Sequence, residues 1–478
     1  MKITGTNEQE AIWEAIETTD EHIFVNAGAG TGKTFTIVEA ANRLPFGSSA
    51  AFLAFNKSIA DELQERLPTD VEAKTFHSFG FAAIRKAGIK TKYNSYKLNN
   101  IIKELLGRDF WVAPVKKLVS LVKGSLVDGT DKKALLSLIE EYNINFNSDR
   151  ELMLTLEAIP AILTMCRTQT HLVDFDDMIW LPLVNNYPLP KYNVMFVDEA
   201  QDFNESQREL IRRCVIGGRC VIVGDKNQAI YGFRGADSNS IGLFYKSLTS
   251  GDRKISEFPL SISWRCPNLV VKEANRFVKE FNAHEDAVDG AVIVNAPFTP
   301  QEGDMVLCRF NAPIIGAFYD LISQGKSAYI LGRDMTKGLT MAIDKITKNG
   351  EMGTEEFWEL FMIDFEVNTK RLLADNKQSQ AIALEDKKDC ISIFVGKATT
   401  VAGIKMAIDK LFNNSEKGDI MLSTVHKAKG LEADNVYILA TERMPHPMGG
   451  KEENNIAYVA ITRAKKNLFY CGPKPQLN

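Results

Sequence analysis

The segment at residues 27–34, AGAGTGKT, constrains the fold of this chain more than any other stretch. The apolar run 22–25 before it is typical of a buried strand, and residues 35–41 after it have helical spacing. A glycine-rich turn between a strand and a helix is the setting of a phosphate-binding loop, where backbone N–H groups and the helix N-terminus face phosphate oxygens. The sequence therefore predicts a parallel α/β domain that binds a nucleoside triphosphate.

Individual loop residues have distinct expected roles. The Lys33 ammonium can reach the β- and γ-phosphates, and the Thr34 hydroxyl suits Mg²⁺. Ala27 stands where the G-x-x-x-x-G-K-[ST] pattern has its first glycine, and alanine is small enough to serve there. A plain glycine-rich turn before a helix is the alternative interpretation. The predicted nucleotide-binding residues of the loop are Ala27, Gly28, Ala29, Gly30, Thr31, Gly32, Lys33 and Thr34.

Composition limits the class of protein. A chain of 478 residues with 45% hydrophobic and 25% charged residues is typical of a soluble protein with two to four domains. No apolar run approaches the ~20 residues that span a bilayer, and the N-terminus lacks a signal-peptide core, so we expect no membrane partner and no secretion. We expect the protein in the cytoplasm, or in the host-cell cytoplasm if a phage encodes it.

Charge and cysteine content narrow the possibilities further. The seven cysteines are scattered without a C-x-x-C, which favours reduced thiols over a zinc or iron–sulfur site. A net charge of −4 argues against a wholly basic nucleic-acid coat but allows a local groove, since affinity depends on the few phosphates contacted.

Two further predicted strands end in polar residues that suit phosphate chemistry. Strand 194–197 runs into Asp198 and Glu199, where Asp198 can hold Mg²⁺ through its water shell and Glu199 can polarise an attacking water. Strand 219–223 precedes Gln228, which can touch a γ-phosphate or that water. Ligands collect at the carboxyl ends of parallel strands, so these groups are expected at one sheet edge.

Other segments carry groups that can bind nucleic-acid bases or nucleotides. Predicted strands 50–54 and 71–74 run into polar and aromatic residues, and the loop after Gln228 contains Tyr231, Phe233 and Arg234, which can stack on bases. An aromatic stripe is more often core, but flanking glycines favour a surface loop here. The Gln9 amide can read an adenine edge, or it is an exposed residue at a helix start.

Residues 82–173 have a helical pattern, with predicted helices at 98–106, 114–127, 132–142 and 152–166. We interpret this region as an inserted helical subdomain. Its lysines either line a nucleic-acid path or form solvated faces. They are Lys90, Lys92, Lys97, Lys116, Lys117, Lys123, Lys132 and Lys133.

Taken in order, eight segments make the chain resemble a superfamily-one helicase of the UvrD/PcrA/Rep type. The spelling of AFNKSIA and TFHSF is nearest to the short phage and F-box-type members, and the resemblance runs from Asn7 to about Phe469. The segments are AGAGTGKT, AFNKSIADEL, TFHSF, VDEAQD, VGDKNQAIYGFRGAD, LSISWRCP, STVHKAKGLE and AYVAITRAKK.

The resemblance implies an α/β fold with two RecA-like, parallel-sheet P-loop domains, each carrying an inserted, mostly helical subdomain. ATP would bind in the cleft between them, and single-stranded DNA would cross the top. The expected ranges are 1–80 and 174–258 for the first RecA-like domain, 81–173 for its insertion, 259–332 and 417–478 for the second RecA-like domain, and 333–416 for a smaller insertion.

The resemblance also assigns residues. Gln9 would read adenine and Trp264 would stack on it. Arg265 and Arg463 would reach the γ-phosphate from the second core, where a fixed guanidinium stabilises transition-state charge. Gly430 and Glu432 would contact the nucleotide near the γ-phosphate and ribose. The implied DNA contacts are Phe55, Asn56, Thr75, His77, Tyr231, Phe233, Arg234 and His426.

Two departures from the family pattern affect these expectations. Phe35 stands where larger members often have an arginine near the base, which bears on base selectivity. The chain ends at Asn478 soon after Arg463, with little room for the hairpin that splits the duplex in larger members. We therefore expect translocation on single strands rather than strong unaided unwinding.

The leading interpretation is a motor that uses ATP and Mg²⁺ to move 3′→5′ on single-stranded DNA, unwinding duplex or stripping bound proteins. Its polarity is implied by the resemblance alone. Expected partners are single-stranded DNA, single-strand/duplex junctions, and a single-strand-binding, replication or recombination protein. The alternative is a nucleotide-dependent switch that remodels a DNA–protein complex without processive movement. A P-loop kinase or GTPase would leave the paired arginines without a role, and no residue cluster remains for a nuclease.

Overall fold

The chain forms two compact units. Unit 1 comprises Met1–Ala27 and Gly32–Leu260, and unit 2 comprises Gly28–Thr31 and Ser261–Asn478. The predicted DNA contacts Phe55, Asn56, Tyr231, Phe233 and Arg234 lie outside the described residues. The computed structural model describes residues 4–45, 47–54, 57–107, 110–142, 144, 146, 148–215, 217–230, 240–249, 253–331, 334–375, 377–413, 418–447 and 450–476.

Unit 1 alternates strands with helices and contains a run of helices in its middle. Short 3-10 turns follow two of its strands, at Ala200–Asp202 and Lys226–Gln228. Its elements are α1 (Asn7–Thr18), β1 (His22–Ala27), α2 (Lys33–Asn42), β2 (Ala50–Ala54), α3 (Lys57–Arg66), β3 (Val71–Thr75), α4 (Phe76–Lys86), β4 (Lys92–Tyr93), α5 (Lys97–Leu106), α6 (Val112–Ser125), α7 (Lys132–Glu141), α8 (Asp149–Thr168), β5 (Leu172–Val173), α9 (Phe175–Val184), β6 (Val194–Val197), α10 (Glu205–Cys214), β7 (Arg219–Gly224), α11 (Ser240–Thr249) and β8 (Ile255–Leu260).

The main sheet of unit 1 has six strands in the order β3-β2-β6-β7-β1-β8. Every neighbouring pair is parallel. The carboxyl ends of all six strands therefore share one edge, and the segments that follow β1, β3, β6 and β7 begin there.

Strand residues alternate between two apolar cores, one on each face of this sheet. Phe52 and Phe196 belong to one core and stack with ring centroids 6.3 Å apart. Their chain neighbours Leu53 and Val197 belong to the other core. Because side chains alternate along a strand and both faces of a parallel sheet are buried, strands of this kind are almost wholly apolar. That composition is why the predicted strands at β2 and β6 have the observed bounds.

The helices α5–α8 surround a third apolar core, to which residues of α4 and α9 also contribute. They occur where the helical spacing predicts them, with ends shifted by a few residues. Both expectations for Lys97 and Lys123 are wrong, because neither lysine is on a solvated face or a nucleic-acid path. They are 2% and 1% exposed, and each pairs with the buried carboxylate of Asp177. Sequence periodicity places them among apolar positions but does not reveal the carboxylate that compensates their charge.

Unit 2 contains a second parallel sheet and a second group of helices, α14–α17. A 3-10 turn at Thr441–Arg443 follows one strand. Its elements are β9 (Ile262–Ser263), α12 (Asn268–Ala274), β10 (Asn282–Ala283), β11 (Ala291–Ile293), β12 (Met305–Cys308), α13 (Asn311–Ser323), β13 (Ala328–Ile330), α14 (Asp334–Ile346), α15 (Thr354–Ala374), α16 (Gln378–Val395), α17 (Val401–Asn413), β14 (Ile420–Thr424), β15 (Ala433–Ile438), α18 (Lys451–Ile461) and β16 (Ala464–Tyr470).

The sheet of unit 2 has the strand order β11-β16-β15-β12-β14-β13, again parallel throughout. Two six-stranded parallel sheets, each accompanied by helices, confirm the predicted α/β fold class of two RecA-like domains. None of the helices in the described part of the chain combines the length and apolarity that a bilayer crossing needs.

A glycine in α4 sets how closely this helix can approach α9. A Cβ added to Gly80 would lie 2.0 Å from the carbonyl oxygen of Met178. We therefore expect Gly80→Ala to lower the free energy of unfolding by about 1–3 kcal/mol, because backbone must move to admit the methyl group. Urea unfolding followed by circular dichroism measures this change.

The matched control is Gly316→Ala in α13, where no atom lies within 4 Å of the added Cβ. There the substitution is expected to stabilise by up to about 1 kcal/mol, since alanine is the better helix former. Equal effects of the two substitutions would show that close packing of α4 on α9 is not what requires Gly80.

Candidate functional site

The phosphate loop connects β1 to α2, as the sequence predicts. α2 begins at Lys33, and its N-cap is Gly32, which has no side chain to cap the helix. The Thr36 hydroxyl donates to the Gly32 carbonyl oxygen at 2.9 Å and fixes the first turn. The first-turn N–H groups of α2 therefore have no side-chain cap, the arrangement in which a helix N-terminus can bind an anion.

The middle of the loop, residues 28–31, groups with unit 2 and is held there by hydrogen bonds. Ala29 donates its N–H to the Tyr458 hydroxyl at 2.9 Å, and its carbonyl oxygen accepts from the Ser263 hydroxyl at 3.0 Å. A phosphate oxygen bound at the Ala29 N–H would therefore take the place of the Tyr458 hydroxyl. Sequence reasoning missed both partners, although Tyr458 lies within the AYVAITRAKK segment.

Glycine is required at position 30 of this loop. Gly30 has φ +68, and an added Cβ would lie 2.4 Å from Cβ of Arg265. Its carbonyl oxygen accepts the Trp264 N–H at 2.9 Å. Both the left-handed backbone and the close approach of Arg265 exclude a side chain at this position.

The two predicted carboxylates follow β6, at the carboxyl edge of the unit 1 sheet. Oδ1 of Asp198 accepts the Glu199 N–H at 2.8 Å, and Glu199 has a left-handed φ of 55°. The Gln201 side-chain amide donates to Oε2 of Glu199, while Oε1 of Gln201 accepts the Asp225 N–H at 3.1 Å. Gln201 thus ties the end of β6 to the end of β7 and orients the Glu199 carboxylate, a function that the sequence analysis did not assign.

Asp225, directly after β7, is a second site residue that sequence reasoning missed. It is 1% exposed, and its Oδ2 accepts from Nε2 of Gln228 at 2.7 Å. Burial raises the pKa of Asp225, and the charge of Lys33 and the hydrogen bond from Gln228 oppose that rise. The structure therefore brings Lys33, Gln228 and the carboxylates into one electrostatic neighbourhood. The sequence signal that could have identified Asp225 was its position in the segment VGDKNQ, directly after a buried strand.

The donor chemistry at this edge fits Mg²⁺. The Thr34 hydroxyl and the Asp198 carboxylate are hard oxygen donors of the kind that magnesium prefers. Both side chains are half-buried, so each keeps some access to solvent.

Gln9 is not an exposed residue at a helix start, so that alternative is wrong. It is 2% exposed; its Oε1 accepts the Thr6 N–H at 3.0 Å and its Nε2 donates to Oγ1 of Thr36 at 3.0 Å. Phe35, which precedes Thr36 in the chain, is 36% exposed and lies edge-on to Trp13, with ring centroids 6.1 Å apart. The adenine contact of Gln9 stays a prediction.

In unit 2, both predicted phosphate-binding arginines have partners from their own unit. Nε of Arg265 lies 2.6 Å from Oε2 of Glu432. Arg463 is 1% exposed and donates to the carbonyl oxygens of Val459 at 2.9 Å and Leu431 at 3.1 Å. Each guanidinium would exchange these contacts to reach a phosphate, so their catalytic roles stay predictions.

The remaining predicted residues of unit 2 differ in exposure. Trp264 is 55% exposed, and one face of its indole stacks on His284, with centroids 3.8 Å apart and planes 26° from parallel. Gly430 and Glu432 are exposed in the turn before β15, and His426 is half-buried just after β14. An exposed indole with a stacked imidazole behind it has the flat apolar face that a base can stack on, and His284 was not singled out from the sequence.

Three aromatic side chains meet beyond the carboxyl end of β3. We call His77, Tyr93 and Phe175 the aromatic platform. Its ring centroids are 5.1 Å apart for His77 and Phe175 and 4.8 Å apart for Tyr93 and Phe175. Phe175 is 54% and Tyr93 47% exposed, and Thr75 caps the helix that carries His77. Burial lowers the pKa of His77, so its ring is uncharged at neutral pH.

Only His77 of the aromatic platform was predicted from the sequence. Tyr93 and Phe175 lie 82 positions apart in the chain and are joined by the short parallel pair β4–β5. Exposed aromatic rings on a surface suit base stacking, which tolerates any base because each has a π-face.

Comparison with known families decides where the chain belongs. Residues 8–249, just over half of the chain, match the UvrD/REP helicase N-terminal domain, and residues 368–471 match the UvrD-like helicase C-terminal domain. The chain belongs to the UvrD/Rep helicase family. The family predicted from the eight ordered segments is thereby confirmed.

Individual relatives of this UvrD/Rep family chain are distant. It is 26% identical to F-box DNA helicase protein 1 of Schizosaccharomyces pombe, over 97% of this chain and 57% of that protein. It is 24% identical to F-box DNA helicase 1 of Gallus gallus, over 97% and 48%. It is 28% identical to ATP-dependent DNA helicase Rep of Escherichia coli, over 55% and 42%. The chain thus spans about half the length of these relatives.

The link through Gln201 generates a prediction for this UvrD/Rep family site. We expect Gln201→Ala to lower kcat for ATP hydrolysis about tenfold with little change in ATP affinity, because Glu199 loses the amide that orients it. Steady-state phosphate release and equilibrium binding of a fluorescent ATP analogue measure the two quantities.

The matched control is Gln64→Ala on α3, which also removes two hydrogen bonds, those of Gln64 to the backbone of Val71 and Ala73. Its kcat should equal that of the wild type. A wild-type kcat in Gln201→Ala as well would remove Gln201 from the site.

Proposed function

We propose that this chain is an ATP-driven motor that moves 3′→5′ along single-stranded DNA and thereby unwinds duplex or strips bound proteins. The observation that carries the proposal is the carboxyl edge of the unit 1 sheet, where the phosphate loop, the carboxylates after β6 and β7, and His77 of the aromatic platform follow strands of one sheet. A sheet edge that bears the phosphate-binding groups and one ring of the platform suits a protein that couples hydrolysis to a grip on a strand. The polarity rests on the family resemblance alone.

The hydrolytic half of the proposal assigns a role to each polar group. Lys33 binds the β- and γ-phosphates, and Glu199, oriented by Gln201, polarises the attacking water. Thr34 and Asp198 would hold Mg²⁺, which neutralises phosphate charge when bound. Gln228, held by Asp225, touches the γ-phosphate or the water.

Arginines complete the proposed chemistry. Charge spreads over the phosphoryl oxygens in the transition state, and a guanidinium stabilises it through fixed, charged donors. We assign this role to Arg265 and Arg463, with Trp264 and Gln9 on the adenine and Gly430 and Glu432 near the γ-phosphate and ribose.

The DNA half of the proposal rests on exposed, uncharged aromatic rings. Stacking on a base contributes about 1–3 kcal/mol and is nearly independent of sequence, which suits a motor that must pass every base. The relatives named above are DNA helicases by name, which supports DNA as the track. A single-strand-binding, replication or recombination protein is the proposed class of protein partner, and junctions are proposed as substrates.

Stopped-flow measurements on end-labelled single strands of increasing length test directional movement. A 3′→5′ motor gives a lag before the signal at a 5′ label, and the lag grows with strand length, whereas a 3′ label gives none. ATP hydrolysis without any length-dependent lag would replace the motor with a nucleotide-dependent remodelling switch. A lag only at the 3′ label would reverse the polarity.

A substitution in the loop tests the nucleotide site separately. Lys33→Ala should abolish ATP hydrolysis while single-strand binding persists, because the variant loses the ammonium that binds the β- and γ-phosphates but keeps the aromatic platform. Phosphate release and fluorescence anisotropy of a labelled oligonucleotide measure the two activities. The control Lys133→Ala, at an exposed position of α7, should behave as the wild type. Full turnover by Lys33→Ala would contradict the assignment of the nucleotide site.

A further inference from the structure

Four charged side chains lie buried together among the helices of unit 1. We call Lys97, Lys123, Asp174 and Asp177 the buried charge cluster. The lysine side chains are each 1% exposed, that of Asp177 is 0% exposed, and that of Asp174 is 12% exposed. Two ammonium groups balance two carboxylates, so the cluster as a whole is close to neutral.

Asp177 is the centre of the cluster. Its Oδ2 accepts from Nζ of Lys97 at 2.6 Å, and its Oδ1 accepts from Nζ of Lys123 at 2.7 Å. Lys97 also donates to the carbonyl oxygen of Cys166 at 2.8 Å, and Nζ of Lys123 lies 3.5 Å from Oδ2 of Asp174. Side chains of α5 and α6 therefore converge on the first turn of α9, and Lys97 also links that turn to the last turn of α8.

The carboxylates of the cluster also build the start of α9. Asp174 is the N-cap, and its Oδ1 accepts the Asp177 N–H at 2.8 Å. Asp177 returns the contact, since its Oδ2 accepts the Asp174 N–H at 3.3 Å. The positive end of the helix dipole further favours carboxylates here. The capping box fixes which residue begins α9, and the lysines fix the position of that residue relative to α5 and α6.

The aromatic platform is attached to this helix start on both sides. Phe175 directly follows Asp174 in the chain. Val173, directly before it, pairs in β5 with Tyr93 of β4. A shift of the Asp174 backbone would move Phe175 directly and Tyr93 through the strand pair, whereas His77 is carried by α4.

Stability alone does not explain buried charges at this place. Replacing a buried ionic cluster by well-packed apolar side chains is often neutral or stabilising, because desolvation offsets most of the attraction. What hydrogen-bonded ion pairs add is a defined set of distances, since each ammonium offers three directed donors. The carboxylates outweigh burial in setting the pKa of Lys123, which lies above its ordinary value, so the ammonium stays charged.

We propose that Lys97 and Lys123 are positioning residues for single-stranded DNA: through Asp177 and Asp174 they fix the start of α9 and thereby hold Phe175 and Tyr93 where a base can stack on them. The inference rests on the proposed function, because it takes the aromatic platform as a surface for DNA bases. It adds two residues that lie outside the recognised motifs and do not touch DNA themselves.

The test combines three variants in a double-mutant cycle. Lys123→Met together with Asp174→Asn removes one charge of each sign, and asparagine remains a good N-cap, so the helix start keeps its cap. Affinity for a fluorescein-labelled oligothymidylate is measured by anisotropy, alongside thermal unfolding and the rate of ATP hydrolysis without DNA. The second arm is Phe175→Ala, and the third combines all substitutions.

We expect the Lys123→Met/Asp174→Asn variant to stay folded, to hydrolyse ATP without DNA at the wild-type rate, and to bind the oligonucleotide about tenfold more weakly. Phe175→Ala should weaken binding by a similar factor. The combined variant should lose clearly less affinity than the product of the two separate factors, because the cluster acts through Phe175, and through Tyr93 as well, and residues that act through one another are not additive. The control Lys117→Met, at an exposed lysine of the same helix α6, should bind as the wild type.

Other outcomes would overturn the inference in distinguishable ways. If the folded Lys123→Met/Asp174→Asn variant binds the oligonucleotide as the wild type does, while Phe175→Ala binds it more weakly, the cluster has no positioning role. Additive losses would show that the cluster affects binding independently of Phe175. If Phe175→Ala binds normally, the platform does not contact DNA and the inference fails with it, although directional movement can still hold. Failure of the motor itself appears instead as the absence of a length-dependent lag in the wild type.

Discussion

Parallel pairing of β1 with β7, and of β7 with β6, places the ends of three buried strands side by side. The phosphate loop, Asp225 and Asp198 each occupy the first positions after one of these strands, so their proximity follows from the sheet rather than from any direct contact between them. Hydrogen bonds then refine the arrangement, above all the two that Gln201 makes to Glu199 and to the Asp225 backbone. If this strand order were different, the same residues would not lie at neighbouring positions of one sheet edge.

Buried charges in unit 1 occur in two different settings. Asp225 lies beside Lys33, and its burial raises its pKa, as is common where a carboxylate participates in chemistry. The buried charge cluster of Lys97, Lys123, Asp174 and Asp177 is instead paired within itself. None of its four residues belongs to one of the eight recognised segments. In both places burial makes the electrostatic energy of the carboxylates depend strongly on the distances to their partners, because charge–charge interactions are stronger away from water.

In unit 2, the two arginines predicted to bind phosphate contact groups of their own unit. Arg265 is paired with Glu432, and Arg463 is enclosed by carbonyl oxygens near the end of α18. The hydrogen bonds to carbonyl oxygens offset the cost of burying the Arg463 guanidinium, and the charge of Glu432 lies beside that of Arg265. If either arginine binds a phosphate, as proposed, it exchanges partners, and its affinity for the phosphate would depend on how strongly Glu432 and these carbonyl oxygens compete.

The amino-acid sequence determined the fold class and the family, because strand apolarity, helical spacing and short motifs are local properties. It also supplied the nucleotide-binding residues that the proposed function uses, which stay predictions. It also placed β2 and β6 correctly. Tertiary structure alone decided that Gln9, Lys97 and Lys123 are buried, that Gln201 orients Glu199, and that Tyr93 and Phe175 join His77. Each of these depends on which distant elements pack together, and residue spacing cannot report that, since a lysine or an aromatic ring at a helical position has the same local pattern whether it meets water, a carboxylate or another ring.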